Sequence, residues 1–358
     1  MTTVADATSL QQDSRRLAEA RIQFGADVRL AEPFLDAPPL WAEPVDPRLG
    51  DDSAAARRWM AGHHAAIEQA LLTFGAIVWR GFAVSGSEDF AAMMAGFEAF
   101  AQGYAGGTSD RKTVTGQVME ATRTPPEVYI PLHQEMSYMP VSPRLLAFYC
   151  KQPSATGGET GICDMRGLLD ALPGPLRDKI SHCDIDYVRN LRSAEVDDWR
   201  ADPAFRHPTW QYRFETDNRA EVAAQLQERG ADFEWHDDGS LTFWTRVPGT
   251  TTHPVTGDRI YFNQMNSQVQ HRLTIGEERA ARIEAAYGQS VPRPYSVRFS
   301  NGEPLSEAEF MAIHTEFERR KVAFAWQAGD IMLIENRLTA HGRNPYTGSR
   351  DVQVMLFQ

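Results

Sequence analysis

One pattern in this chain of 358 residues narrows the folds open to it more than any other. In Ile130-Pro-Leu-His-Gln-Glu-Met-Ser-Tyr138 an imidazole and a carboxylate, His133 and Glu135, stand two residues apart in an apolar and aromatic stretch. Extended backbone turns residues i and i+2 to one face, so as a strand this segment would let both side chains reach one ion. Two ligands do not hold a catalytic metal. The best candidate for a third, His341, lies about two hundred residues later, in Leu333-Ile-Glu-Asn-Arg-Leu-Thr-Ala-His-Gly-Arg343. A scaffold that joins them must bring distant strands together, as a closed or double-sheet all-β barrel such as a jelly roll does.

Hydrophobic residues make up 42% of the chain and charged residues 23%, the balance of an ordinary globular protein able to bury a sizeable core. A formal net charge of −12 argues against a nucleic-acid partner or an anionic membrane surface, but leaves room for a locally basic pocket. Cys150, Cys163 and Cys183 cannot all pair within one chain and have no metal-ligand spacing, so buried inert thiols in a reducing, cytoplasmic setting are expected. The segment Met1 to Arg15 has neither a basic start nor an apolar run and does not read as a signal peptide. No apolar stretch reaches the roughly 18 residues of a membrane span, so a soluble protein is expected. The oligomeric state is not legible.

Residues 1 to about 50, polar and then proline-rich, read as an N-terminal arm lying over the surface, and 51–358 as a single domain. Apolar positions at helical spacing through Trp59, His63, Ile67, Leu71 and Leu72 predict a helix from Ser53 to Phe74, stopped by Gly75. Ala76 to Arg80 reads as a buried strand, and Ser87 to Phe100 as a second helix. Between Gly103 and Tyr129 the composition changes to that of loops and edge strands, and a loop of this length is more often functional than connective. Further strands are expected at Leu145–Cys150, Leu241–Thr245, Arg259–Asn263, Ile331–Ile334 and Asp351–Phe357. Further helices are expected at Met165–Ile180, interrupted or capped at Pro173, and at Asn218–Gln227, Glu277–Ala286 and Glu307–Phe324. The fold class is therefore mainly β with flanking helices, around a double-stranded β-helix (jelly roll, cupin-like) core.

Two histidines and one carboxylate on one side of a metal, with open positions opposite, form the facial triad of non-heme Fe(II) oxygenases. Arg350, nine residues beyond His341, offers a fixed fork of donors suited to a carboxylate. Thr160 follows two glycines and a glutamate, at a point where a ligand can approach the backbone closely. Metal, guanidinium and hydroxyl together suit a small dicarboxylate that chelates the ion at one end and pairs with Arg350 at the other. Met136, Ser137 and Tyr138, beside the first ligand pair, and Asn263 and Gln264, on a facing strand, are the side chains expected near substrate. Plainer roles compete at every position. His341 taken alone suits a hydrogen-bonded core histidine, Arg343 and Arg350 suit solvated partners of acidic residues, and Arg111 and Arg123 suit either contact with an acidic carrier or a substrate carboxylate or, the more expected role, solvated charge. His63, His64, His182, His207, His236, His253, His271 and His314 share no spacing and receive no role.

From Ile77-Val-Trp-Arg-Gly-Phe82 to the C-terminus, about three quarters of its length, the chain resembles a known family. The motifs in order are Thr124-Pro-Pro126, Ile130 to Tyr138, Gly157-Gly-Glu-Thr160, Asp164-Met-Arg166, Tyr187-Val-Arg-Asn190 and His253-Pro-Val-Thr-Gly257. Tyr261-Phe-Asn-Gln264, Trp326-Gln-Ala-Gly-Asp330 and Glu335 to Arg350 follow. Together they resemble the Fe(II)/2-oxoglutarate-dependent dioxygenases of the TauD/TfdA type, in the clavaminate-synthase-like branch near the syringomycin-pathway aspartyl hydroxylases. The resemblance implies that His133, Glu135 and His341 bind Fe(II), and that Arg350, assisted by Thr160, pairs with the distal carboxylate of 2-oxoglutarate. Glu135 stands where many members have Asp, which bears on the branch rather than on the metal.

The resemblance further implies that O2 takes the open metal position once substrate is bound, that 2-oxoglutarate is converted to succinate and CO2, and that a substrate C–H bond is oxidised. A halogenating relative would lack the carboxylate, so Glu135 points to hydroxylation or a related oxidation. The substrate it implies is an amino acid or a small molecule derived from one, free or held on an acyl or peptidyl carrier protein in natural-product (antibiotic) biosynthesis. Desaturation, epoxidation and ring closure use the same ligands. Two readings from other classes stand beside these. One is a zinc-dependent hydrolase, although no His-Glu-x-x-His helix motif is present. The other is a non-catalytic barrel that senses a metal or metabolite.

Overall fold

The apolar strands read from the sequence form two facing sheets in the computed structural model, which describes residues 14–34, 37–101, 111–195, 208–288 and 292–358. The larger sheet has eight strands, in the order Val28–Ala31, Leu40–Pro44, Ala76–Trp79, Ile331–Glu335, Leu145–Gln152, Asp351–Phe357, Val118–Glu120 and Thr113–Thr115. Its three central members are buried on both faces, which explains their nearly unbroken apolar runs. The two-residue period still sorts their side chains. Leu145, Ala147, Tyr149, Leu333, Met355 and Phe357 face the helices Arg15–Phe24, Ser53–Gly62, His64–Phe74 and Ser87–Met93. Leu146, Phe148, Cys150, Met332, Ile334, Val354 and Leu356 face inward, onto Ile162 and Phe324 of the second sheet.

That second sheet has four strands, Val322–Phe324, Thr160–Asp164, Thr339–Arg343 and Ile130–His133. Leu132, Cys163 and Ala340 on its outer face pack with Phe317 of helix Glu307–Arg320 and with Leu176 and Ile180 of helix Gly174–His182. Two sheets closed over a shared apolar interior make the double-stranded β-helix expected from the sequence. A third sheet, Asp232–Trp235, Leu241–Pro248, Asp184–Leu191 and Tyr295–Phe299, lies beside it. Its end holds a small core of its own around Trp210, Phe214, Val222 and Leu226.

Several elements differ from the sequence reading for local reasons. The helix expected from Ser53 to Phe74 is two helices that meet at His63, whose ring stacks on Trp59 at 4.2 Å while its Nδ1 lies 2.8 Å from the Trp59 carbonyl oxygen. The next helix ends at Met93, short of Phe100, because Phe97 packs on His64 and Phe357 and the Phe100 N–H donates to the Leu356 carbonyl. The helix from Glu307 ends at Arg320, and Val322–Phe324 instead pairs with Thr160–Ile162, where sheet hydrogen bonds outweigh the helical spacing. In the N-terminal segment read as an arm, residues 1–13 and 35–36 lie outside the described part. The rest supplies a helix and the two outermost strands at one end of the larger sheet, with Leu40 and Ala42 fully buried and Leu40–Ala42 parallel to Ile77–Trp79. His207 and residues 103–110 of the expected loop also fall outside the described residues.

Candidate active site

His133 ends the strand Ile130–His133, and His341 is its directly opposite partner on Thr339–Arg343. The two rings lie 4.5 Å apart, centroid to centroid. Glu135 reaches them differently from the way the sequence suggests, because the strand is already over at His133. Residues 134 to 136 turn sharply, and Met136 takes a φ of 55°, which side-chain-bearing residues adopt only when held.

Buried amide side chains hold that turn. Asn336 accepts the Glu135 N–H at 2.7 Å and donates to the Glu135 and Pro143 carbonyls at 2.9 and 2.8 Å. Gln134 donates to the Arg337 carbonyl, Gln264 to that of Gln134, and Asn266 to that of Leu132. The outcome is that one ligand atom from each of His133, Glu135 and His341 lies within 4.8 Å of the other two. Nε2 of His341 stands 3.7 Å from Oε2 of Glu135.

The protonation states suit a cation. The Nδ1 atom of His133 lies 2.8 Å from the Pro131 carbonyl oxygen, so Nδ1 carries the proton and the Nε2 lone pair faces the cluster. Burial, with the neighbouring His341, lowers the pKa of His133 to about 4, which keeps the ring neutral at ordinary pH. Burial alone would raise the Glu135 carboxyl. The Arg111 guanidinium 2.6 Å away and the contact with His341 outweigh it and hold the group ionised, well below the usual carboxylate range. Two imidazole nitrogens and one carboxylate oxygen form a donor set for a divalent transition metal with positions left open.

The cluster opens into a cavity of about 860 Å3, mouth included, lined also by Thr160, Arg111, Arg343, Arg350, Phe148, Gln264 and Gln268. Arg350 donates through Nε to the Gly158 carbonyl at 3.1 Å, which fixes the direction of its fork. Burial and the nearby Arg343 lower its pKa to about 10, the signature of a cation withdrawn from water. The Trp326 indole donates to the Thr160 hydroxyl oxygen at 3.0 Å; since that oxygen is the acceptor, the Thr160 O–H remains available as a donor. Arg343 donates to the Thr124, Pro125 and Val128 carbonyls at 2.9, 2.6 and 2.7 Å and so ties the preceding loop to the sheet.

Of the five side chains expected near substrate, Gln264 lines the cavity. The turn at Met136 sends its neighbours elsewhere. Met136 is fully buried in the core between the sheets, Ser137 donates to the Gln134 carbonyl, and Tyr138 packs edge-on against Tyr187. Asn263 donates to the Gly249 carbonyl and accepts the Met265 N–H. Arg111, read as solvated charge, is instead 6% exposed and ion-paired with Glu135. Asn336 and Asn266 were not singled out. Asn336 lies within the Glu335 to Arg350 motif, but only folding shows what its amide grips.

A model of the family described as "Taurine catabolism dioxygenase TauD, TfdA family" matches residues 42–356. The chain is 26% identical over 82% of its length to the Dapdiamide synthesis protein DdaC of Enterobacter agglomerans, covering 85% of that protein. It is 27% identical over 79% of its length to a clavaminate synthase-like protein of Arabidopsis thaliana, covering 81% of it. Among solved structures, a putative alpha-ketoglutarate-dependent taurine dioxygenase from Burkholderia xenovorans aligns with a TM-score of 0.51 at 15% identity, over 92% of both chains. PvcB from Pseudomonas aeruginosa aligns with the same TM-score at 13% identity, over 93% of this chain and 92% of that one, so the two likenesses bear on the fold. With a family model spanning nearly all of the double-stranded β-helix, the chain belongs to the TauD/TfdA family of Fe(II)- and 2-oxoglutarate-dependent dioxygenases.

Proposed function

We propose that the protein oxidises, most simply hydroxylates, an unactivated C–H bond of an amino acid or a small molecule derived from one, in natural-product biosynthesis. The observation that carries this reading is the convergence of three ligand atoms within 4.8 Å in the wall of a cavity that also presents Arg350 and Thr160. The likeness to a dapdiamide synthesis protein supports the biosynthetic setting. In this reading His133, Glu135 and His341 hold the iron. Arg350 and the Thr160 hydroxyl bind the distal carboxylate of the cosubstrate, a charge-assisted contact in a site largely shielded from water. Fe(II), with 2-oxoglutarate and O2, supplies the two-electron oxidation, releasing succinate and CO2.

The rest is the work of the chain. Asn336 and Gln134 fix the turn that aims Glu135, and Pro131 fixes the tautomer of His133. Phe148, with its ring 5.2 Å from that of His341, supplies an apolar wall that excludes water from one side. We also read residues 51–358 as one catalytic domain whose sheet the preceding segment extends. Among the described residues no helix is long and apolar enough to cross a membrane.

The test is anaerobic addition of Fe(II) and 2-oxoglutarate, followed by O2. A metal-to-ligand charge-transfer band and O2-dependent formation of succinate are expected. A protein that forms neither is not an oxygenase of this kind, and turnover with zinc in place of iron would favour a hydrolase.

A further inference from the structure

The segment Trp326-Gln-Ala-Gly-Asp330 has no part in the function proposed above, yet it forms a turn held from several sides. Asp330, buried, accepts the Gln327 N–H at 2.7 Å and Nε and Nη2 of Arg80 at 2.9 and 2.6 Å, and Arg80 also donates to the Ala325 carbonyl at 2.9 Å. The Gly329 N–H donates to the Cys150 carbonyl at 2.8 Å, and the Cys150 N–H to that of Asp330 at 2.9 Å. Cys150 pairs in turn with Val352, two residues beyond Arg350. On the other side Phe324 stands opposite Thr160 in the smaller sheet, and the Trp326 ring packs 5.3 Å from that of Phe324. So fixed, the indole N–H of Trp326 donates to the Thr160 hydroxyl oxygen at 3.0 Å, with both side chains buried.

Packing alone asks only for a ring at position 326, and phenylalanine would supply one. The N–H adds a direction. A threonine hydroxyl has two lone pairs and one proton, which rotates toward any acceptor within reach. An indole N–H is a donor only, so it takes up a lone pair and offers that proton nothing. The proton is thereby turned away from Trp326, and Thr160 lines the cavity that Arg350 also faces. An ionised carboxylate accepts and never donates, so it engages this hydroxyl only through that proton. Hydrogen bonds in series also polarise one another, which makes the hydroxyl a stronger donor. We propose that Trp326 is a positioning residue for the cosubstrate: its indole directs the Thr160 proton to the distal carboxylate of 2-oxoglutarate. This rests on the role given to Thr160 in the function proposed above.

The test titrates two acids anaerobically into the Fe(II)-loaded protein, with the charge-transfer band as readout. One is 2-oxoglutarate; the other is 2-oxopentanoate, which keeps the chelating end and lacks the distal carboxylate. Trp326→Phe is expected to weaken 2-oxoglutarate about fivefold and to leave 2-oxopentanoate and iron binding as they were. Thr160→Val weakens 2-oxoglutarate by about tenfold, and adding Trp326→Phe to it costs nothing more, because the indole acts through the hydroxyl. An equal loss for both acids in Trp326→Phe, no loss for either, or additive losses in the double variant overturns the proposal. Should Trp326→Phe fail to fold, or 2-oxopentanoate form no band, nuclear magnetic resonance of the Zn(II)-loaded wild type with isotope-labelled tryptophan decides. The indole N–H resonance that Thr160→Val displaces is expected to move downfield on addition of 2-oxoglutarate, and an unmoved resonance overturns the proposal. A wild-type protein that never forms the band with 2-oxoglutarate refutes the oxygenase reading, and an undiminished 2-oxoglutarate affinity in Thr160→Val refutes the role of Thr160; the proposal falls with either.

Discussion

His133 and His341 are cross-strand partners: about two hundred residues apart in the chain, they face each other on adjacent antiparallel strands with ring centroids 4.5 Å apart. The pairing depends on how closely those strands approach, and Gly342 sets that approach. A Cβ at this position would lie 2.6 Å from the Ile130 carbonyl oxygen and 3.1 Å from the Leu132 nitrogen. Gly342→Ala is expected to force the strands apart, to cost about 1–3 kcal/mol of stability, and to weaken iron binding although residue 342 offers no ligand. Urea unfolding and an iron titration together check this. A variant with wild-type iron affinity would show that the spacing is not critical.

Asn336 makes three hydrogen bonds to the backbone around Glu135 and Pro143. Asn336→Ala leaves buried backbone groups unsatisfied, at a cost of about 1–3 kcal/mol each, and frees the turn that aims Glu135. The expected result is lower stability and a weaker charge-transfer band, with the 2-oxoglutarate concentration needed at saturating iron less affected. Asn336→Asp keeps the acceptor for the Glu135 N–H and should recover part of the loss.

In the proposed function Arg350 acts on the cosubstrate rather than on the metal. Arg350→Ala removes a charge-assisted contact of about 2 kcal/mol, so the KM for 2-oxoglutarate should rise about thirtyfold while iron still binds. Loss of iron binding in this variant would mean that the residue supports the fold instead.

Acid should destabilise the metal-free protein earlier than the usual carboxylate range would suggest. The unfolded chain protonates His133 near its ordinary 6.5, whereas burial delays protonation in the fold to about 4. Glu135, held well below its ordinary value, loses its stabilising charge only on further acidification. In both cases the unfolded state binds protons first, so stability falls as pH drops from about 6.5 toward 4. Melting curves across that window, compared with those of His133→Gln, isolate the histidine share. A slope identical in the two proteins would contradict the assignment.

The fold and the convergence of His133, Glu135 and His341 were legible because they rest on patterns that chemistry repeats: apolar runs for strands buried on both faces, and a His-x-Glu pair with a distant histidine. What escaped was set by single contacts. Spacing alone could not show that the strand stops at His133, that Met136 turns out of the site, or that Arg111 folds back onto Glu135 rather than into solvent. Helical periodicity misled at Val322–Phe324, where pairing with Thr160–Ile162 wins over local propensity. The sequence offered His133, Glu135, His341 and Arg350 as one constellation resting on residue types and a resemblance. Only the fold places all four on one cavity.

The most direct test of that convergence is anomalous diffraction at the iron edge from crystals grown anaerobically with Fe(II) and 2-oxoglutarate. One peak bonded by His133, Glu135 and His341, with the distal carboxylate of 2-oxoglutarate on Arg350, is the expected result. An iron peak elsewhere, or none at these three side chains, would contradict it.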